Sequence, residues 1–457
     1  MFLQKLKISF MLFALISMQI GFSYADVGIS ERRKQLIDEE SLVRENEKSE
    51  IVSIDKTATL DDYIRIGLKN NPGLRSEFYK WKSSFKKISK ESSLSDPQFT
   101  FTDYIEEVET RVGPQERAFS INQKLPLPDK LWIRKSKAFK SSEEAYHNFQ
   151  KNQLDLIYKI TDVYYEYAYL SKAILLMEEN IKLLKNFESV AQARYKSALA
   201  QNQDLLKVQV ELGRLENDLY SLKDLQVPLT ARLNTLLNLP KNNILPWPNE
   251  SLEDAVMQDS YNEIDGLYDV LEEKNPDILA SSSKIEENKD ALKLAKREYF
   301  PDLTVGVTQI DTGDALNSST VDSGKDPLMV TFSVNVPIWF NRLNAGVQDA
   351  KASLKASENY LENKENELFS QLVLVHYKLR DALRQSQLYK DALLPKAAQT
   401  LNATQSGYEG GKVEFLSLID AQRVLFNFQL AYYRHNANFH QRLSELQSLL
   451  GEIYREN

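Results

Sequence analysis

The chain of 457 residues carries 57 Lys and Arg against 65 Asp and Glu, a formal net charge of −8, and it contains no cysteine. That balance argues against a general nucleic-acid binder, and the missing cysteine removes disulfides, thiolate metal sites, cysteine nucleophiles and lipoprotein acylation together. With only 15 Gly, 14 Pro and four histidines (His147, His376, His435, His440), the chain reads as mostly helix, with no resident metal or cofactor.

Residues 1–25 combine Lys5 and Lys7, an apolar stretch from Ile8 to Ile20 and the ending Ser23-Tyr24-Ala25, the pattern of a secretory signal peptide cleaved after Ala25. The apolar stretch falls short of the roughly 20 residues that span a bilayer, which disfavours a membrane anchor. Residues 26–56 are dominated by charge and read as a weakly ordered leader, with a single amphipathic helix as the alternative.

From residue 57 the chain is two copies of one plan: a first repeat over 57–240 and a second over 267–455, with a polar linker containing PWPNES over 241–266. Each repeat opens on a helix with an Asn-Pro pair, Asn71-Pro72 and Asn275-Pro276, and then breaks at Pro97 or Pro301. Both pairs of positions are 204 residues apart. Strand-like alternation follows, predicted over about 98–106 and 117–126 in the first repeat and about 302–311 and 328–337 in the second. Pro-containing exits (Lys124 to Pro128, Asn335 to Trp339) lead into long helical patterns. No Gly or Pro occurs from Asp129 to Leu212, a run that would reach roughly 100 Å or more as one helix. In the second repeat Leu354, Leu361, Leu368, Val375, Ala382 and Tyr389 recur every seven residues, which calls for helix-on-helix packing. Tyr195 and Tyr408 open matching stretches 213 residues apart, and Leu236 and Leu449 close the repeats at the same offset.

The strands carry most of the functional information. Phe119 and Ile121 oppose Ser120 and Asn122, while Val330, Phe332 and Val334 oppose Thr331 and Ser333. Such hairpins either lay one face on a soluble core or cross a bilayer with the apolar face toward lipid; export without an apolar helix favours the second. Phe119, Ile121, Val330, Phe332 and Val334 are then the lipid-facing candidates. Unpaired strand edges cannot stand in lipid, and four strands are too few to close around a lumen. Membrane strands would therefore require an oligomer sharing one barrel, about 8 strands from two copies or about 12 from three. No Gly-rich phosphate loop, GxSxG elbow or HExxH pair is present, so the chain does not read as an enzyme.

The stretch LLPKAAQTLNATQSGYEGGKVEFLSLIDAQRVLFNFQLAYY (393–433) resembles the C-terminal signature of the TolC-like outer-membrane efflux protein family. SINQKLPLPDKLWIRKSKA (120–138) and TFSVNVPIWFNRLNAGVQDAKASL (331–354) resemble its strand-to-helix transitions. The resemblance implies a mainly α fold with a small β part: duplicated long-helix hairpins in a periplasmic α-barrel, and four strands per protomer in a shared trimeric 12-stranded outer-membrane β-barrel. It further implies a homotrimer set in outer-membrane lipid of a Gram-negative bacterium, with a large periplasmic extension. Such a trimer acts as a passive exit duct for an inner-membrane pump of the RND or ABC type, joined through a periplasmic adaptor (membrane fusion) protein. Tyr408, Gly411 and Asp420 match the family's tyrosine, glycine and gating aspartate; Ser417 stands where some members carry a further aspartate, and Asp204 occupies the equivalent position in the first repeat. Asp204 and Asp420 are thus periplasmic gate candidates, and Tyr195, Tyr408, Gly410 and Gly411 mark the hairpin turns. Three copies of each acid would form an anionic, cation-selecting constriction. The Leu-Pro-Leu-Pro exit and the Pro395 helix resemble the heavy-metal efflux subgroup, with drug efflux beside it; a type I secretion duct and a soluble periplasmic coiled-coil scaffold are the alternatives.

Overall fold

A computed structural model describes residues 27–48, 54–55, 57–197, 201–248, 252, 255–317 and 319–452. The expected signal peptide lies outside the described residues. The described residues before Ile51 form a compact unit of their own. Within it, Val27–Lys48 is a 22-residue helix, α1, where the sequence suggested weak order. Glu, Lys, Arg and Leu dominate this segment, and their straight side chains lose little freedom in a helix.

In the second unit, Ile51–Asn457, each repeat begins with two helices separated by its Asn-Pro pair. These are α2 (Leu60–Asn70) and α3 (Pro72–Glu91), then α7 (Asp265–Lys274) and α8 (Pro276–Arg297). The asparagine caps the second helix of each pair: Asn71 Oδ1 accepts from Leu74 N at 3.0 Å, and Asn275 Oδ1 from Asp277 N at 2.9 Å. Proline then fits the first helical position, where no N–H is needed. The same side chain reaches the far end of its own repeat. Asn71 Nδ2 donates to Leu236 O at 2.9 Å and Asn275 Nδ2 to Leu449 O at 2.7 Å. Asn238 (φ 53°) and Gly451 (φ 71°) end those last helices in the left-handed region, again 213 residues apart. At Gly451 glycine is also required by space, because a Cβ would stand 2.3 Å from Lys274 O.

Strands β1 (Gln98–Val108) and β2 (Gln115–Leu125) come from the first repeat, β3 (Leu303–Thr312) and β4 (Leu328–Val334) from the second. They form one antiparallel sheet in the order β1-β2-β3-β4, so the two repeats meet at the β2–β3 ladder and β1 and β4 are open edges.

Helix α4 (Pro128–Lys196) runs 69 residues, about 100 Å at the α-helical rise. The glycine-free run does not continue to Leu212. It stops at Ser197 and resumes as α5 (Asn202–Asp224), followed by α6 (Gln226–Leu237). The second repeat answers with α9 (Phe340–Leu388), a π-helical turn over Tyr389–Leu393, α10 (Leu394–Glu409) and α11 (Phe415–Leu449). The seven-residue seam is buried at Leu368, Val375 and Ala382, together with Leu372 and Leu379. Helix α4 packs against α3, α5, α8 and α11, while α9 packs against α8 and α11 and α10 packs against α11. Beside the sheet the lateral helix order is therefore α3-α4-α8-α9, the order of the strands these helices adjoin. Toward the turns it becomes α5-α4-α11-α10. One apolar core there joins Leu184, Phe187 and Ala191 of α4, Val208 and Leu212 of α5, and Tyr408, Phe415 and Leu418 of the second repeat.

Candidate functional site

Two features answer to the sequence expectations: the sheet, and the region where the hairpin turns of both repeats meet. In the sheet, register sorts the residues by chemistry. Phe99, Ile121, Val307 and Val330 lie side by side across the four strands, and Phe101, Phe119, Gln309 and Leu328 form the next row. Toward the other end Val305 pairs with Phe332, and Leu303 with Leu125 and Val334. Directly paired residues share a face, so the lipid-facing candidates Phe119, Ile121, Val330, Phe332 and Val334 all stand together. Thr100, Ser120, Asn122, Thr308 and Thr331 are on the opposite face. Nothing among the described residues covers the apolar face: Phe99 is 65% exposed, Phe332 70% and Val334 58%. A soluble hairpin would bury this side, and an apolar patch of this size in water marks an interaction surface.

The roots of the sheet are fixed by charge. Lys130, in the first turn of α4, is buried and donates to Asp302 Oδ1 at 2.6 Å and to Phe300 O at 2.7 Å. Lys124 lies 3.1 Å from Asp302 Oδ2. Asp302 N donates to Asn335 Oδ1, and Asn335 N donates back to Asp302 O at 3.3 Å. Three junctions between helix and strand, drawn from both repeats, thus meet at one residue: the lysines of β2 and α4 hold the Asp302 carboxylate, and Asn335 after β4 bonds its backbone. Sequence reading passed over Lys130, Asp302 and Asn335. Their only signal was a position beside the prolines that end and begin the strands.

At the hairpin turns, α10 ends in a Schellman arrangement: Lys412 N donates to Gly407 O at 2.8 Å and Gly411 N to Tyr408 O at 3.0 Å. Gly411 takes φ 71°, whereas Gly410 keeps helical φ −76°, so only the second glycine of the pair meets a conformational demand. The matched tyrosines diverge. Tyr408 is 4% exposed and packs tilted against Phe415, with ring centroids 5.2 Å apart, whereas Tyr195 is 46% exposed. Arg194 of α4 explains part of the difference. Its guanidinium lies 4.8 Å from the Tyr408 ring centre, and Nη1 donates to Tyr408 O and to Glu409 O, satisfying carbonyls at the end of α10. Burial raises the pKa of the Tyr408 phenol; the charge of Arg194 opposes that shift and the charge of Asp204 adds to it.

The two gate candidates sit in different surroundings. Asp204 is half-buried in the first turn of α5 and makes no ion pair among the described residues. Asp420, on α11, is exposed and lies 3.3 Å from Arg423 Nη1. The other nitrogen of Arg423, Nη2, lies 3.2 Å from Glu211 Oε2 on α5, and Arg214 Nη2 is 2.6 Å from Glu211 Oε1. Glu211 is only 9% exposed. Burial raises its pKa, but hydrogen bonds from Arg214 and Arg423 outweigh it and hold the carboxyl below the ordinary range.

Residues 267–452 match the family model described as outer membrane efflux protein. Through these residues the chain is similar to the outer membrane efflux protein family. Over 181 residues it is 26% identical to the cobalt-zinc-cadmium resistance protein CzcC of Cupriavidus metallidurans, covering 39% of this chain and 41% of that protein. Toxin and drug export protein A of Aggregatibacter actinomycetemcomitans is 23% identical over 42% of each. The chain spans about two fifths of the length of these curated relatives. Likeness of fold extends further. Crystal structures of CusC match with a TM-score of 0.73 at 16% identity, covering 86% of this chain and 92% of that one. The outer membrane protein VceC of Vibrio cholerae matches with a TM-score of 0.69 at 15% identity, covering 86% and 96%. The mainly helical fold with a four-stranded antiparallel sheet is that of these structures.

Proposed function

We propose that this chain is the outer-membrane exit duct of a tripartite efflux system in a Gram-negative bacterium, passively conducting cargo that an inner-membrane pump expels through a periplasmic adaptor. The observation that carries the reading is the sheet: one uncovered apolar face, one polar face and two open edges. Among the described residues no helix is long and apolar enough to cross a membrane, so a membrane role rests on these strands. Open edges in lipid leave backbone groups without partners, and closure must come from further copies. In the observed order β4 of one copy meets β1 of the next antiparallel, and three copies give about 12 strands around a polar lumen. The helices repeat the logic. α9 and α10 line one side of each copy and α3 and α5 the other, so the edges that close the barrel would also close a helical tunnel below it.

For the cargo, the likeness to a cobalt-zinc-cadmium resistance protein favours heavy-metal ions, and the likeness to a drug export protein keeps drugs beside them. The pump is then of the RND type, with an ABC pump the counterpart for type I secretion. Fractionation followed by electrophoresis with and without boiling tests the duct. An outer-membrane band near three times the monomer mass that collapses on heating supports it. A soluble monomer would replace it with a periplasmic coiled-coil scaffold. Sensitivity of a deletion strain to cobalt, zinc and cadmium against a panel of drugs then decides the cargo class.

A further inference from the structure

Exposed apolar surface continues past the end of the sheet. Beyond Val334 of β4 it runs through Val336 and Ile338 to Trp339 and Phe340, and Trp132 in the second turn of α4 is exposed as well. Ile338, Trp339, Phe340, Asn341 and Arg342 line one open hollow of about 460 Å³ at this foot of the sheet. At the opposite end the apolar face closes on a row of charge. There Arg117 lies between its strand partners Asp103 and Asp311, 3.4 Å and 4.0 Å from their carboxylates. From Arg117 to Leu125 is about 27 Å along the strand, or about 20 Å of height at a tilt of about 40°. With the foot added, the band approaches the roughly 25 Å of an outer-membrane barrel, which sets Trp339 and Arg342 at its boundary. Charge is just as unevenly placed. Within about 10 Å of the sheet along the helix axes lie Lys86, Lys87 and Lys90 of α3, Arg134 and Lys135 of α4, Lys296 of α8 and Arg342 of α9, none of them in an ion pair among the described residues. Asp129 is held by Arg297, Asp290 by Lys293, and Asp302 by Lys124 and Lys130. That leaves Glu91, Asp96 and Glu298 as the acids at this depth without an ion pair among the described residues. At the other end the sign reverses: β1 and the turn after it carry Glu106, Glu107 and Glu109 against Arg111.

We propose that this foot is a docking surface for anionic phospholipid, with the indole rings of Trp132 and Trp339 at headgroup level and Arg342, which shares the hollow with Trp339, meeting the lipid phosphates. Tryptophan favours a membrane–water boundary because its ring is apolar and its N–H polar. Each base near an anionic surface strengthens attraction by about fivefold, and the effect fades within about one Debye length. The bases at the foot therefore act on headgroups, and those farther down the helices do not. The acidic end repels the same lipid, so the preference belongs to the leaflet on the helix side. The inference rests on the duct reading above and goes beyond it by naming the lipid class and the residues that select it.

The test is quenching of tryptophan fluorescence in the purified oligomer, reconstituted into phosphatidylcholine vesicles that carry the same minor fraction of either brominated phosphatidylglycerol or brominated phosphatidylcholine. Trp81 is buried in the core and Trp247 stacks on Tyr167, so a W132F/W339F variant supplies the background. At low ionic strength the phosphatidylglycerol is expected to quench several-fold more than the phosphatidylcholine, and concentrated potassium chloride to bring the two together. In a W132F chain, R342Q should lower the preference read at Trp339 by up to about fivefold, while R342K should keep it. R134Q/K135Q, read at Trp132 in a W339F chain, repeats the comparison should R342Q fail to assemble. Equal quenching by the two lipids at low salt overturns the proposal, and so does a preference that these substitutions leave intact. Quenching at Trp132 with none at Trp339 overturns it too, since a second copy would then cover the hollow. Failure of the wild type to insert into vesicles at all would sink the duct reading instead.

Discussion

Phe332 offers the sharpest test of which face of the sheet meets lipid. It lies in β4, paired with Val305 and followed in sequence by Ser333 and preceded by Thr331 on the opposite face. In the single chain it is 70% exposed, so replacing it removes little internal packing. An arginine on the lipid face of a transmembrane barrel costs about 2–4 kcal/mol near the bilayer midplane. Three copies in one barrel would bring the penalty to about 6–12 kcal/mol per trimer, comparable with the whole stability of an ordinary domain. Phe332→Arg should therefore abolish or strongly reduce the heat-resistant oligomer in outer-membrane fractions. Thr331→Arg, one residue away but on the opposite, polar face, should assemble nearly as the wild type does. Equal loss in both variants would mean that the substitution harms the strand rather than its lipid face, and equal assembly would mean that the face does not contact lipid at all.

Other consequences follow from the contacts that hold the repeats. Asn275→Ala removes an N-cap and the bond to Leu449 O from a buried site, and should lower stability by about 2 kcal/mol, read as a lower denaturation midpoint of the purified protein. Gly451→Ala combines φ 71° with a Cβ 2.3 Å from Lys274 O, so it should cost more than the roughly 1 kcal/mol of left-handed strain alone; a variant within experimental error of wild type would refute the close approach. Glu211, faced by Arg214 and Arg423, has a depressed pKa, so its contribution is complete above the ordinary glutamate value of about 4.3 and fades as pH falls through the lower folded value. Thermal stability of the wild type should thus drop relative to Glu211→Gln on acidification below about pH 4, and parallel curves would remove the linkage.

Much of the fold was legible because its signals are local. The Asn-Pro pairs, the glycine-free helical run, the seven-residue seam and the period-two strands each follow from neighbouring residues, and their recurrence at offsets of 204 and 213 exposed the duplication. The run from Asp129 reverses near Ser197 with neither Gly nor Pro to announce it, because residues 202–215 gain more by packing Val208 and Leu212 back onto α4 than by extending into solvent.

The site was read less completely. Composition and spacing paired Tyr195 with Tyr408, yet one is exposed and the other buried beneath Arg194, since the environment of each depends on which hairpin lies beside it. Likewise the charge of Asp420 could be counted in the sequence, but its pairing with Arg423, and that of Arg423 with Glu211 across 212 residues, could not. The sequence by itself determined the repeat, the helices and the two-faced strands, since propensity and periodicity act over a few residues. Only the tertiary structure decided the lateral order α5-α4-α11-α10, the knot at Asp302 and the company kept by each carboxylate, because electrostatic pairing depends on distances that chain-remote helices set when they pack.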